Sequence, residues 1–139
     1  MTGFTWENRF SVGVPLIDDQ HKMLIQRVND LAQAIERHQS VSEIVRVLGF
    51  LIEYTNFHFA TEEQHMTAHH YPGLNHHKAQ HAEFKRTLTH LLEDFEEEGA
   101  TQALADSINI FLVNWLVTHF QDVDQEFGRF VRDKGLSLR

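Results

Sequence analysis

Apolar residues recur at alternating steps of three and four along four stretches of the chain, the rhythm of helices that bury one face. Leu24, Val28, Leu31 and Ile35 form the first stripe, and Ile44, Leu48, Leu51 and Thr55 the second. Phe84, Leu88, Leu91 and Phe95 carry the third, with Leu104, Ile108, Phe111 and Trp115 along the fourth. Boundary residues punctuate them: Asp18 or Asp19 as a cap, Ser40 with Glu43 as a capping box, Pro72-Gly73 as a turn, Gly99 as a stop, and Gly135 near the end. The spacing predicts helices over about 19–38, 41–66, 75–97 and 101–133. Gly13 and Pro15 argue against helix before them, so residues 1–17, rich in Trp6, Phe10, Val12, Val14 and Ile17, read as an ordered arm. Short connections between such helices imply an all-α, antiparallel up-down-up-down four-helix bundle, with residues 1–139 as one domain.

Each stripe is continued by residues that do not belong in an apolar core. His21 heads the first, His58 and Glu62 extend the second, His77 and His81 open the third, and His119, followed by Asp124, extends the fourth. The i, i+4 pairs His58/Glu62 and His77/His81 each project from one helix face, and the turn between them lets the two faces meet. The step from His119 to Asp124 is five residues, roughly 140° around an ideal helix, so both reach one site only through side-chain length or a locally widened turn.

Composition narrows the chemistry. The chain of 139 residues holds 11 histidines and no cysteine, so a metal here would be held by nitrogen and oxygen. The lack of cysteine fits a reducing, cytoplasmic location. Neither a secretory leader nor a membrane-spanning apolar run is visible, and a formal net charge of -8 is ill suited to a nucleic-acid backbone. Five imidazoles and two carboxylates exceed the needs of one ion. They suit two metals bridged by both carboxylates, one with three histidines and the other with two, so that with a bridging oxygen the second keeps an open position.

The segments VGVPLIDDQHKML, HFATEE, YPGLNHHKAQHAEF and WLVTHFQDVD, spread over nearly the whole chain, resemble the hemerythrin family, especially its small single-domain bacterial members. The resemblance implies two non-haem iron ions with an oxo or hydroxo bridge. His77, His81 and His119 would hold one iron, His21 and His58 the other, with Glu62 and Asp124 bridging. It implies reversible dioxygen binding for storage, delivery or sensing, without catalytic residues. Nitric oxide, peroxide or azide-like anions are the further ligands to expect, and any protein partner is unidentified.

His65 and Phe120 depart from the usual pattern, and Met66, Trp115 and Phe120 are candidates to line an oxygen pocket. A di-iron oxidase or peroxidase-like enzyme is the first alternative. A ferritin-like site would need a second Glu-x-x-His spacing besides Glu62 to His65. A sensing module acting through a partner is the second.

Overall fold

The computed structural model describes residues 5–99 and 101–138, the side chains of 102, 104 and 105 excepted. Residues 1–4 of the expected arm and the Leu104 side chain lie outside the described residues. Helices run Pro15–Glu36 (α1), Val41–Ala68 (α2), Leu74–Glu98 (α3), Gln102–Thr118 (α4) and Asp124–Asp133 (α5). Each of the four long helices packs on its two neighbours, α1 on α2 and α4, α3 on α2 and α4. That closed ring is the up-down-up-down bundle, and its core holds Leu24, Val28, Leu48, Leu51, Phe84 and Leu112. Among the described residues no helix is long and apolar enough to cross a membrane.

The first helix begins at Pro15, earlier than the expected residue 19. Proline at the first helical position loses no hydrogen bond, because that N–H has no intrahelical acceptor in any case. Asp18 is therefore inside α1 and does not cap it. Its carboxylate accepts from the Ser11 hydroxyl at 2.5 Å and from the Val12 N–H at 2.8 Å, fastening the arm. The arm holds a 3-10 turn over Asn8–Phe10 and buries Phe10, Val12 and Val14. Gln125 donates to the Ser11 carbonyl at 2.6 Å, and Arg132 donates to that of Val12. At Gly128 a Cβ would stand 2.4 Å from the Val12 carbonyl oxygen, so α5 approaches the arm as only glycine permits.

The Ser40 hydroxyl accepts from the Glu43 N–H at 3.2 Å, the cap expected for α2. Two spare histidines end helices. His38 and His70 adopt φ of 52° and 54°, and Tyr71 N–H donates to the Met66 carbonyl across the left-handed residue.

The expected single helix over 101–133 is two helices joined by a π turn over His119–Val123, where the Asp124 N–H bonds the His119 carbonyl. The deepest line of α4 also differs from the expected one. Ile108, Leu112, Leu116 and Phe120 are buried, while Phe111 and Trp115 are only half-buried.

Candidate metal centre

Helices α1, α2 and α3, the π turn and the start of α5 bring the seven predicted donors into one dry space. His21, His58, Glu62, His77, His81, His119 and Asp124 are all at most 2% exposed. The π turn accounts for the last two. A bond to the fifth preceding residue widens the turn, so five residues complete it and Asp124 comes back beneath His119. Of the two routes left open by the sequence spacing, the backbone supplies the widened turn.

Two groups of donor atoms result, each with all members within 4.8 Å of one another. Glu62, His77, His81 and His119 make one, and His21, His58, Glu62 and Asp124 the other, so Glu62 is common to both. Asp124 also reaches both sides. Its Oδ1 lies 2.9 Å from His77 Nε2 and 3.2 Å from His119 Nε2, while its Oδ2 lies 2.8 Å from His21 Nε2. Glu62 Oε1 lies 3.1 Å from His58 Nε2 and 3.5 Å from His81 Nε2.

Proximity without satisfaction is the informative property of this cluster. Nine buried side-chain nitrogen or oxygen atoms lack a hydrogen-bond partner among the described residues, and seven of them belong to five residues of the cluster: both nitrogens of His21, His58 Nε2, both oxygens of Glu62, His77 Nδ1 and Asp124 Oδ2. His21 Nε2 and Asp124 Oδ2 are close enough to bond but are not aligned to do so. Leaving such atoms dry and unpaired costs about 1–3 kcal/mol each, so the cluster fits cations that would use those lone pairs.

The surrounding hydrogen bonds prepare the imidazoles for that role. His58 Nδ1–H donates to Gln20 Oε1 at 2.7 Å, His81 Nδ1–H to Glu63 Oε2 at 2.8 Å, and His119 Nδ1–H to Gln80 Oε1 at 3.4 Å. In each, the proton held on Nδ1 leaves Nε2 as a bare lone pair facing the centre. Gln20, Glu63 and Gln80 were not among the sequence candidates. They adjoin the predicted donors His21, Glu62 and His81 respectively in the chain, but only helix pairing shows whose ring each supports.

Burial shifts His58 and His119 toward the neutral imidazole that metal binding needs and shifts Glu62 the other way, toward the protonated acid. It pushes His58 down to about 4, with the charge of His77 adding to the effect, and it lowers His119 against the opposing pull of Asp124. Glu62 is driven up to about 7, first by burial and then by the negative charge of Asp124. Asp124 lies well below the ordinary carboxylate range, since His119 and His21 together outweigh the upward push of burial. Burial also opposes the charge on His77, but the Asp124 hydrogen bond and Glu62 leave it raised.

Carbon rings back the donors. Phe120 stacks on His21 at 3.9 Å, Phe59 on His81 at 3.7 Å, and Trp115 on His119 at 4.4 Å. Phe120 is fully buried beside the His21/His58 group. Trp115 sits on the three-histidine side against His119, and Met66 packs with Val12, Val14, Ile17 and Phe127. His65 is half-buried with its ring over His69, and His76 shares a bond with Gln80 at the surface.

Residues 12–131 match the family model described as the hemerythrin HHE cation binding domain. The bacteriohemerythrin of Methylococcus capsulatus (strain ATCC 33009 / NCIMB 11132 / Bath) is 33% identical over 92% of this chain and 96% of its own. The myohemerythrin of Sipunculus nudus is 30% identical over 89% of this chain and 90% of its own. A crystal structure of wild-type hemerythrin superposes with a TM-score of 0.81 at 31% identity, covering 91% of this chain and 95% of that one.

Proposed function

The chain belongs to the hemerythrin family, and on that premise we propose that it binds dioxygen reversibly at a non-haem di-iron centre. The observation that carries the reading is the pair of overlapping donor groups that share Glu62 and leave His21 Nε2, His58 Nε2, both Glu62 oxygens and Asp124 Oδ2 without a hydrogen-bond partner. His77, His81 and His119 would hold one iron and His21 and His58 the other, with Glu62 and Asp124 joining the two. Held there, a ferrous pair would supply the two electrons that reversible capture of oxygen uses.

Three imidazoles with two carboxylates would leave less room at one ion than two imidazoles with the same carboxylates would at the other, which favours dioxygen on the His21/His58 side. There Phe120 lies flat on His21 and excludes water, which slows the arrival of protons that would promote irreversible oxidation. Gln20 keeps the His58 proton on Nδ1 and its lone pair inward. Trp115 lies on the far side and positions His119.

The arrangement favours a carrier, storage protein or sensor over an enzyme. The Glu62 to His65 spacing that a ferritin-like oxidase would use leads away from the cluster, because His65 turns to His69. Small anions such as azide, and nitric oxide or peroxide, would compete for the same opening. The test is metal analysis with a spectrum of the reduced protein before and after air. About two irons per chain and an adduct lost on degassing are expected; one tightly bound zinc, or irreversible oxidation with substrate turnover, would overturn the reading.

A further inference from the structure

Five of the 11 histidines belong to the centre, which leaves His38, His65, His69, His70, His76 and His90. Four of these are explained by their surroundings. His38 and His70 supply left-handed residues after α1 and α2, His76 shares a bond with Gln80, and His90 lies 3.8 Å from Glu93. His65 and His69 differ. They stand four residues apart at the end of α2, with the His69 N–H donating to the His65 carbonyl at 3.1 Å, so both rings leave the same face of its last turn. Their centroids are 6.5 Å apart and their planes meet at 9°. Both residues are half-buried, and neither side chain has a hydrogen bond or ion pair among the described residues.

Two near-parallel imidazoles one helical turn apart, with their nitrogens uncommitted, form the donor pair of a chelate. The helical zinc motif built on two histidines uses the same i, i+4 spacing. An ion about 2.0 Å from one nitrogen of each ring requires the centroids at roughly 5 Å. Rotation about χ1 and χ2 of the two rings supplies that closure. Imidazole also selects the cation, since it suits copper, nickel and zinc, whereas magnesium and calcium take oxygen donors. The position favours positive charge as well, because the last carbonyls of α2 carry the negative pole of its dipole and the chain has a net charge of -8. This pair is separate from the centre. Glu62, one turn earlier, is fully buried among the central donors, while His65 turns to His69 and neither ring belongs to the two central groups.

We propose that His65 and His69 form a second metal site, a two-imidazole chelate for a divalent transition-metal ion of the copper, nickel and zinc class, with water completing its coordination. Copper(II) binds such a pair most tightly of the three. The ion joins the two ends of the last turn of α2 and so restrains its fraying. From that turn the chain passes through Tyr71, whose N–H bonds the Met66 carbonyl, into α3. The site requires no ion at the centre and does not depend on the di-iron reading.

The test is a copper(II) titration of the protein as purified, read by equilibrium dialysis with metal analysis and by electron paramagnetic resonance. Wild type should take up about one more copper ion per chain than His65→Ala/His69→Ala, with a spectral component showing two nitrogen ligands that the double variant lacks. Each single variant, His65→Ala or His69→Ala, should weaken binding at this site about a hundredfold, nearly the full effect of the double variant, because one imidazole cannot chelate. His38→Asn/His90→Asn removes as many surface imidazoles and should bind as wild type does. Circular dichroism checks that every variant folds; if the double variant does not, the single variants carry the same comparison. Hydrogen exchange at residues 66–71 should slow on copper addition in wild type and in neither single variant.

Equal copper uptake by wild type and the His65 and His69 variants overturns the site, as does equal weakening by the His38 and His90 replacements. Single variants that each lose only part of the affinity, with losses that add up to that of the double variant, overturn the chelate in favour of independent histidines. Exchange at residues 66–71 that copper leaves unchanged in wild type overturns the restraint on the helix end.

Discussion

Replacing Glu62 with Gln should stabilise the metal-free protein at pH 8 and weaken it as an iron protein. Glu62 is fully buried, and burial with the nearby Asp124 charge raises it from the ordinary 4.5 to about 7. A raised carboxyl holds its proton more tightly when folded, so stability falls as pH rises through that window and the full cost is present above pH 7. A difference of 2.5 units at about 1.36 kcal/mol each amounts to about 3 kcal/mol. Glutamine keeps the shape, removes the charge, and can donate to the Nε2 of His58 or His81, 3.1 and 3.5 Å from the present oxygen. Urea unfolding of metal-free Glu62→Gln should thus show a gain of about 2–3 kcal/mol at pH 8 and little at pH 5. Iron content should fall below the roughly two ions per chain expected of wild type. A metal-free variant no more stable than wild type at pH 8 would refute the reasoning.

Glu62→Gln should also expose the contribution of His58, which burial depresses from 6.5 to about 4. Because the unfolded chain binds that proton more readily, the metal-free variant should lose stability as pH falls from 6.5 toward 4, a slope that Glu62 partly cancels in wild type; a flat profile would contradict it. Gly128→Ala should destabilise by about 1–2 kcal/mol even though alanine favours helix, because its Cβ would meet Val12; a raised melting temperature would count against the arm contact. Phe120→Ala should retain both irons while oxidising in air and binding azide about fivefold faster, since it unroofs His21. Identical rates in the two proteins would limit Phe120 to packing.

The sequence revealed the parts of this molecule that follow a regular period. His21, His58, Glu62, His77 and His81 sit at positions where α1, α2 and α3 turn inward, so the same stripes that predict the core also locate the donors. The period fails at His119–Val123, because a π turn carries no residue signature and only the angular mismatch between His119 and Asp124 points to it. Projecting a regular stripe along the fourth stretch also emphasised Phe111 and Trp115 over Leu112 and Leu116. Asp18 looked like a cap because an acid before an apolar stripe usually is one; its real partners, Ser11 and Val12, become visible only with the folded arm. Gln20, Glu63 and Gln80 were hidden for a related reason, since each serves a histidine on another helix.

The rings stacked on His21, His81 and His119 bear on how an ion would leave. A histidine usually releases metal by swinging about its side-chain bonds, but here a flat carbon ring blocks one face of each of these imidazoles, and two of them are also held at Nδ1. Detachment then requires the helices to part, so exchange is governed by opening of the bundle and not by motion of single donors. Once opening limits the rate, adding more of a strong chelator should not strip the iron any faster.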